Sequence, residues 1–181
     1  NGAGDCAKVT KLLAFTGDIG FKRLNFQGCS NLNTIIPLGT KAALTVLYAL
    51  FDGCTGLTSI PSGIFDGCPA VTNLNTMFRG WTGLTSIPVD LFKNNTNADS
   101  FNRTFDGCTG LTSIPADLFK YNTEVWRFNY TFIGCTGINT AIPGNIFLYN
   151  KYANAFEETF YGCSSMTGLG QTVIDNTALP G

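Results

Sequence analysis

Histidine is absent from the 181 residues of this chain, and several familiar arrangements of reactive side chains are absent with it. Without histidine there is no Ser-His-Asp arrangement for nucleophilic catalysis, and the commonest metal-binding side chain is missing. The seven cysteines include no C-x₂-C pair, and no D-x-D-x-D-G loop occurs, so neither a zinc site nor a calcium site is predicted. We therefore expect no metal and no cofactor.

Charge is also scarce, since only 13% of the residues are charged and eleven basic residues face twelve acidic ones. Phosphate binding draws on clustered lysine and arginine, so nucleic acid is not expected as a partner. The chain has no uninterrupted apolar run of about 18 residues, so no membrane insertion is expected. Residues 1–5 lack the basic and apolar regions of a secretion signal, which we expect to be absent or already removed.

An internal repeat dominates what the sequence does contain. The stretch F-D-G-C-T-G-L-T-S-I-P-A-D-L-F at 105–119 recurs closely at 51–65 and 78–92. The leading phenylalanines are Phe26, Phe51, Phe78, Phe105, Phe132 and Phe160, which gives steps of 25, 27, 27, 27 and 28 residues. This period predicts a leucine-rich-repeat solenoid of about six coils of about 27 residues, of the α/β horseshoe class by topology but β-rich.

The repeat also predicts the domain organisation, because each coil of a solenoid buries its apolar side only against its neighbours. We expect a single leucine-rich-repeat domain over 1–181. Residues 1–25 form an irregular N-terminal coil, 26–159 the repeats and 160–181 a terminal coil. End coils are expected to be atypical because one of their faces meets water.

Within each unit, apolar residues recur at every third position, as in Phe105, Cys108, Leu111 and Ile114. A strand has a period of two and a helix a period of 3.6 residues. The period of three therefore predicts a coil that turns corners, with a short parallel strand at L-T-S-I and 3₁₀ or turn segments between.

Other columns of the repeat carry their own predictions. The glycine two residues after each phenylalanine is expected to have positive φ. The residues seven and four positions before the next phenylalanine, such as Val125 and Phe128, are expected to face inward. The asparagines three positions before it are expected to bond to the backbone of adjacent turns; these are Asn75, Asn102 and Asn129.

Five of the seven cysteines share one column: Cys29, Cys54, Cys108, Cys135 and Cys163. In a parallel stack their side chains project the same way, so we expect buried thiols and not disulfide partners. Trp81 takes the place of cysteine in the third unit, and a rim-facing orientation is one solution for its larger side chain. Cys6 and Cys68 lie outside the column and could be bridged or free.

Catalytic groups are not expected in such a solenoid. Asp52, Asp66 and Asp106 each precede a glycine, where aspartate is favoured for local hydrogen bonding in a turn. A glycosidase needs two carboxylates that face each other across a cleft, and a solenoid of this size offers no obvious cleft. The sequence therefore predicts that the protein is not an enzyme.

Positions that differ between repeats are the candidates for binding. Aromatic residues and arginines concentrate where the unit before Phe132 diverges from the others, and they resemble the residues enriched at protein interfaces. The alternative is that Trp126 covers a neighbouring coil. The candidate binding residues are Asp99, Arg103, Tyr121, Trp126, Arg127, Tyr130 and Tyr152, with Tyr149 beside them. The Thr-Ser pairs of the L-T-S-I segments are expected to form a solvent-facing surface that pairs hydroxyls across strands.

The pattern F-x-G-C-x-x-L-T-S-I-P, followed by V/A-x-x-L/F and a second phenylalanine, resembles the BspA-like leucine-rich repeat, a bacterial cell-surface type. The resemblance covers about 26–169. In the linking half, Asn95-Thr96 and Asn122-Thr123 replace the commoner V-x-x-I-G arrangement. The resemblance implies an exported protein of the bacterial cell surface that adheres to host proteins or to other cells.

The expected function is a non-catalytic extracellular binding or adhesion module that recognises a protein or glycan partner. Two alternatives remain. One is a structural spacer or stalk of a larger surface protein. The other is a carbohydrate-binding module that uses Trp126 and Tyr130.

Overall fold

The computed structural model describes residues 6–12 and 24–168, and within them regular secondary structure is sparse. A 3₁₀ turn spans Cys6–Lys8, and two short strands follow, β1 (Lys11–Leu12) and β2 (Thr34–Ile35). The strands pair in parallel, with Lys11 opposite Thr34 and Leu12 opposite Ile35. Parts of the predicted first and last coils, 13–23 and 169–181, lie outside the described residues, as do residues 1–5.

Successive repeats stack in register along a parallel ladder of single bridges. The bridged residues lie five positions before the phenylalanine that opens the next unit: Val46, Asn73, Ser100, Arg127 and Ala155. Backbone bonds run beside them, for example from Phe101 N to Arg127 O at 3.0 Å and from Phe128 N to Ala155 O at 2.7 Å. Because each bridge advances by one repeat, each repeat forms one coil, and the predicted solenoid stacking is confirmed over the described repeats.

The ladder does not lie where the sequence predicted it. Only the first unit has a strand at the predicted position, which is β2. Later L-T-S-I segments make single cross-coil bonds, such as Thr112 N to Thr85 O at 3.3 Å, without forming a strand. The reason is the period of three: Leu111 and Ile114 are both buried, whereas a strand alternates its side chains between two faces.

Phenylalanine rings form three stacks that run through the coils. In the first, Phe105 and Phe132 are 5.3 Å apart between ring centroids with planes 4° from parallel. The second contains Phe65, Phe92, Phe119 and Phe147, and the third Phe101, Phe128 and Phe156. The predicted inward positions are buried as far as Phe128, while Ala153 and Phe156 are partly buried against the core.

Trp81 lies inside this core and is fully buried, so the prediction of a rim-facing orientation is wrong. Its ring meets that of Phe78 edge-on at 5.0 Å. Its indole Nε1 donates to Phe51 O at 2.8 Å. Cys108 and Cys135 thiols donate to the equivalent carbonyls, Phe78 O and Phe105 O, at 3.2 and 3.1 Å. Tryptophan is accepted in the column because its N–H replaces the S–H donor and its ring adds to the aromatic core.

The cysteine column is confirmed as buried free thiols at Cys54, Cys108, Cys135 and Cys163. Burial is the largest cause that raises the pKa of the Cys54, Cys108 and Cys163 thiols to about 12. These thiols behave as small apolar residues with a weak hydrogen-bond donor.

Cys29 departs from the prediction, because it forms a disulfide with Cys6 across a Cα–Cα distance of 4.5 Å. It belongs to the first unit, so its N-terminal neighbour is the 3₁₀ turn that carries Cys6 and not another repeat. Cys68, which the sequence left open, is a buried free thiol whose pKa burial raises to about 11.

Two glycine columns serve different purposes. The predicted positive φ is confirmed at Gly28, Gly53, Gly80, Gly107, Gly134 and Gly162. A second column, missed in the sequence, brings backbone against backbone: a Cβ on Gly110 would lie 2.5 Å from Thr82 O of the preceding coil.

Asparagine forms two ladders. In the predicted one, Asn75 Oδ1 accepts from Asn102 N at 2.8 Å, and Asn129 Oδ1 accepts from Glu157 N at 3.1 Å. A second, buried ladder consists of Asn95, Asn122 and Asn150, whose Nδ2 atoms donate to Cys68 O, Asn95 O and Asn122 O, each at 2.8 Å. Asn95 and Asn122, which depart from the family pattern, therefore connect neighbouring coils by hydrogen bonds.

Across 6–12 and 24–168, no helix has the length and apolar character needed to cross a membrane.

Candidate binding surface

The bridge ladder presents its outward side chains on one surface of the solenoid. We call this surface the ladder face; it comprises the side chains six, five, three and two positions before each phenylalanine. The six-before column contains Asp99, Trp126 and Asn154 in consecutive coils. Trp126 N donates to Asp99 O and Asn154 N donates to Trp126 O, both at 3.1 Å. The three side chains are therefore neighbours along the solenoid axis.

Trp126 and Arg127 form a stack on this face. The guanidinium carbon of Arg127 lies 4.1 Å from the ring centroid of Trp126, within cation–π distance. Trp126 is nevertheless 40% exposed. The buried Nε of Arg127 has no hydrogen-bond partner among the described residues. The stack thus exposes part of an aromatic ring that a ligand can contact.

Asp99 completes this group. Burial is the main cause that raises the pKa of its carboxyl group, and a bond within its own backbone and the charge of Arg127 oppose that rise. A partly buried carboxylate beside an arginine is held in a narrow range of orientations.

Arg103 and Tyr130 make a second stack one coil apart, with the guanidinium carbon 4.2 Å from the ring centroid. Arg103 Nη1 also donates to Asp106 Oδ2 at 2.8 Å. The hydrogen bond to Glu157 is the main cause that raises the pKa of Tyr130. Both residues have left-handed backbones, with φ of 55° and 59°.

The left-handed conformation recurs in every coil at the two-before column: Ala49, Thr76, Arg103, Tyr130 and Glu158. It is uncommon outside glycine. Here it aims each backbone N–H at the next coil, as in Arg103 N to Asn129 O at 3.1 Å and Tyr130 N to Glu157 O at 2.7 Å. The side chains of this column are therefore fixed in position by inter-coil bonds.

The structure places the seven candidate residues in more than one group. On the ladder face Arg127 stacks on Trp126, Asp99 lies one coil from Trp126 in the same column, and Arg103 and Tyr130 form the second stack. Tyr121 belongs elsewhere, because it and Tyr149 lie eleven positions before their phenylalanines and enclose the Lys120 ammonium at 5.7 and 5.8 Å from their ring centroids. Tyr152 lies eight positions before Phe160 and is 66% exposed.

An ion pair missed in the sequence joins the residues that follow two of the phenylalanines, Phe51 and Phe78. Arg79 Nε and Nη2 donate to the two oxygens of Asp52 at 2.8 and 2.7 Å, and Gln27 Nε2 donates to Asp52 Oδ2 at 2.8 Å. Asp52 is only 4% exposed. The signal was the alternation F-D-G, F-R-G, F-D-G, which places opposite charges one coil apart.

The opposite surface, built from the L-T-S-I segments, is plainer. Thr58, Thr85 and Thr112 are exposed there, as are the serines that follow them. The predicted hydroxyl pairing is not what is found, since Thr112 Oγ1 donates to the backbone carbonyl of Thr85 at 3.2 Å. This surface repeats itself unchanged from coil to coil and offers a matched control for the ladder face.

Known proteins add limited information. No protein-family model matches the sequence, and no curated relative does. Solved structures similar to this chain include bacterial leucine-rich repeat proteins. One from Bacteroides ovatus is 18% identical with a TM-score of 0.35, over 89% of this chain and 55% of its own length. One from T. pallidum is 15% identical with a TM-score of 0.33, over 87% and 72%.

A complex of TLR13 with single-stranded RNA is similar at 13% identity and a TM-score of 0.26, over 75% of this chain and 29% of that one. This chain thus spans about half of the Bacteroides ovatus protein. The TM-scores are low, and the solenoid is established by the stacking contacts of the chain itself.

Proposed function

We propose that this protein is a non-catalytic binding module of the BspA-like leucine-rich-repeat type that recognises a protein or glycan partner through its ladder face. The observation that carries the proposal is the exposed Trp126–Arg127 stack. It stands in columns whose residues change from coil to coil, while the core columns of phenylalanine, cysteine and glycine repeat almost unchanged. Exposed tryptophan, tyrosine and arginine are the residues most enriched at energetically important contacts.

The carboxylates of the repeat support a non-catalytic role. Asp52 is bound by Arg79, and Asp106 is bound by Arg103. The oxygens of these carboxylates are engaged by arginines of the same protein, which gives both residues a structural role. We expect assays for glycoside and peptide hydrolysis to give no turnover.

An extracellular or bacterial cell-surface location is part of the proposal. The Cys6–Cys29 disulfide supports it, because disulfides persist in oxidising compartments. The balanced charge pairs of the ladder face support a partner other than nucleic acid, since phosphate binding requires an excess of basic residues.

The test compares two variants that carry three alanine substitutions each. In the first, Trp126, Arg127 and Tyr130 are replaced by alanine. In the control, Ser59, Ser86 and Ser113 of the opposite surface are replaced by alanine. Binding is measured by surface plasmon resonance against a panel of purified matrix and serum proteins and on a glycan array, and adhesion with coated beads on cells. We expect the first variant to lose at least about tenfold in affinity and the control to match the wild type.

A structural spacer is the second candidate, and the phenylalanine stacks favour it because they pack successive coils against one another. A spacer needs no specific surface. Adhesion that survives in the ladder-face variant would support the spacer and contradict the binding module.

A further inference from the structure

The surroundings of Trp126 indicate which class of partner the ladder face takes. Asp99 and Asn154 flank Trp126, one coil to either side, in the same column. Both have short planar polar side chains that can bond two neighbouring hydroxyl groups at once. An aromatic ring is thus bordered on each side by hydrogen-bonding groups.

The two columns of the ladder face nearest the bridges are mostly polar around Trp126, and Tyr48 and Tyr130 stand in its other two columns. Trp126 is the one aromatic residue in the two outward columns nearest the bridges, which contain Thr45, Thr72, Asp99, Trp126 and Asn154, and Val46, Asn73, Ser100, Arg127 and Ala155. The centre of a protein–protein interface is apolar and poor in charged residues. Separate rings such as Trp126 and Tyr130 among amides, hydroxyls and charges suit a sugar better, because a pyranose has an apolar C–H face and a rim of hydroxyls.

The charges near Trp126 oppose each other. Asp99 lies beside Arg127, and Arg103 is bound to Asp106 at 2.8 Å. A polyanionic ligand would need uncompensated basic groups. Glu157 and Glu158 of the same face add further acidic side chains, so there is no basic excess here and a ligand without negative charge is favoured.

The spacing of the coils favours a chain over a single sugar. Adjacent strands of a parallel ladder are about 4.8 Å apart, which is close to the length of one pyranose unit in an extended oligosaccharide. We infer that the ladder face binds a neutral oligosaccharide that lies along the solenoid axis, with one sugar stacked on Trp126 and its neighbours over the coils of Asp99 and Asn154. This inference rests on the proposed function, since it names the ligand class of the same surface.

The chain provides its own probe for the test. Its two tryptophans are Trp81, which is fully buried, and Trp126, which is 40% exposed. Iodide should therefore quench the fluorescence of Trp126 and leave that of Trp81 unchanged. The protein is titrated with β-1,4-linked glucose, β-1,4-linked N-acetylglucosamine and α-1,4-linked glucose oligosaccharides of graded length, and with polygalacturonate as the acidic counterpart. We expect one neutral series to protect Trp126 from iodide, with affinity that rises with chain length.

Variants locate the bound chain by calorimetry. Trp126→Ala should weaken binding by at least about tenfold, and Asp99→Ala and Asn154→Ala by about three- to tenfold each. Tyr121→Ala removes an exposed aromatic residue that lies off the ladder face, and it should leave the affinity unchanged. Equal thermal unfolding midpoints for Trp126→Ala and Tyr121→Ala would show that the loss comes from the site and not from misfolding.

The outcomes separate this inference from the function on which it rests. If no neutral oligosaccharide protects Trp126 but a protein of the panel binds through Trp126, Arg127 and Tyr130, the binding module stands and the sugar inference is overturned. The inference also falls if only polygalacturonate binds, or if binding is unaffected by Trp126→Ala. If neither sugar nor protein binds through the ladder face, both the inference and the proposed function fail.

Discussion

At the scale of single residues, identical positions in consecutive coils meet the same surroundings, so one physical reason explains a whole column. Gly107 and Gly110 illustrate two such reasons within one unit. Gly107 has φ of 69°, a left-handed conformation that is energetically unfavourable for residues with a side chain. Gly110 has an ordinary φ but lies so close to Thr82 O that no Cβ fits.

Substitution of Gly110 by alanine should therefore lower the free energy of unfolding by about 1–3 kcal/mol, as other overpacking changes do. Gly107→Ala should cost about 1–2 kcal/mol through its backbone. Gly144→Ala is the control, because a Cβ there has open space and the backbone is not left-handed. Urea unfolding of the three variants checks the order, and equal stability of Gly110→Ala and Gly144→Ala would contradict the close approach.

The buried thiols should make stability depend on alkaline pH. The pKa of Cys54, Cys108 and Cys163 is raised from 9.0 to about 12. The folded state therefore holds these protons more tightly than the unfolded chain. The contribution of these thiols to the free energy of unfolding is complete below pH 9 and is lost as the pH rises from about 9 to 12.

Denaturant midpoints measured across that range should fall with rising pH. The fall should be smaller in a variant with Cys54, Cys108 and Cys163 replaced by alanine. The same slope in both proteins would show that other groups cause it.

At the scale of elements, the sequence reliably predicted the parts that repeat. The coil length, the inward phenylalanines and the thiol column follow from burial that recurs in every unit. The position of the bridge ladder could not be predicted, because the bridged column holds a different residue in every coil and so has no sequence signature of its own. The buried asparagines of that half were visible only as a departure from the family pattern.

Those asparagines should be essential to stacking. Asn122 is fully buried, and its Nδ2 donates to Phe92 O and Asn95 O at 3.1 and 2.8 Å. Asn122→Ala leaves two buried carbonyls without this donor and should lower the free energy of unfolding by about 2–4 kcal/mol. The adjacent exposed Thr123→Ala should change it by less than about 0.5 kcal/mol. Similar values for both variants in urea unfolding would contradict the ladder.

At the scale of the whole molecule, what the sequence missed depends on neighbours that only the folded chain brings together. Trp81 seemed too large for a thiol column, yet the surrounding phenylalanines accept it. Cys29 matched the column, but its neighbour is Cys6 and not another coil. The aromatic candidates do not form one patch, because Trp126 lies on the ladder face beside Arg127 and Tyr121 lies elsewhere, beside Lys120.

The Cys6–Cys29 disulfide ties the N-terminal segment to the first repeat, and its partners are 23 positions apart in the sequence. Cys6→Ser with Cys29→Ser should lower the free energy of unfolding by about 3 kcal/mol, mainly by freeing the unfolded chain. Calorimetry of the variant against the oxidised wild type checks this. Cys68→Ala removes a free buried thiol and keeps the bridge, so it should lose as much stability as the wild type when a reducing agent is added, whereas the Cys6→Ser, Cys29→Ser variant should lose none.

The most direct test of the account is a cross-link across the ladder. Thr72 and Asp99 occupy the same column in adjacent coils, with Asp99 N bonded to Thr72 O at 2.9 Å. Cysteines placed at 72 and 99 should form a disulfide under mild oxidation of the folded protein, detected by peptide mass spectrometry, while cysteines at 72 and 154 should not. A bond between 72 and 154, or none between 72 and 99, would contradict the stacking of the repeats and the ladder face built on it.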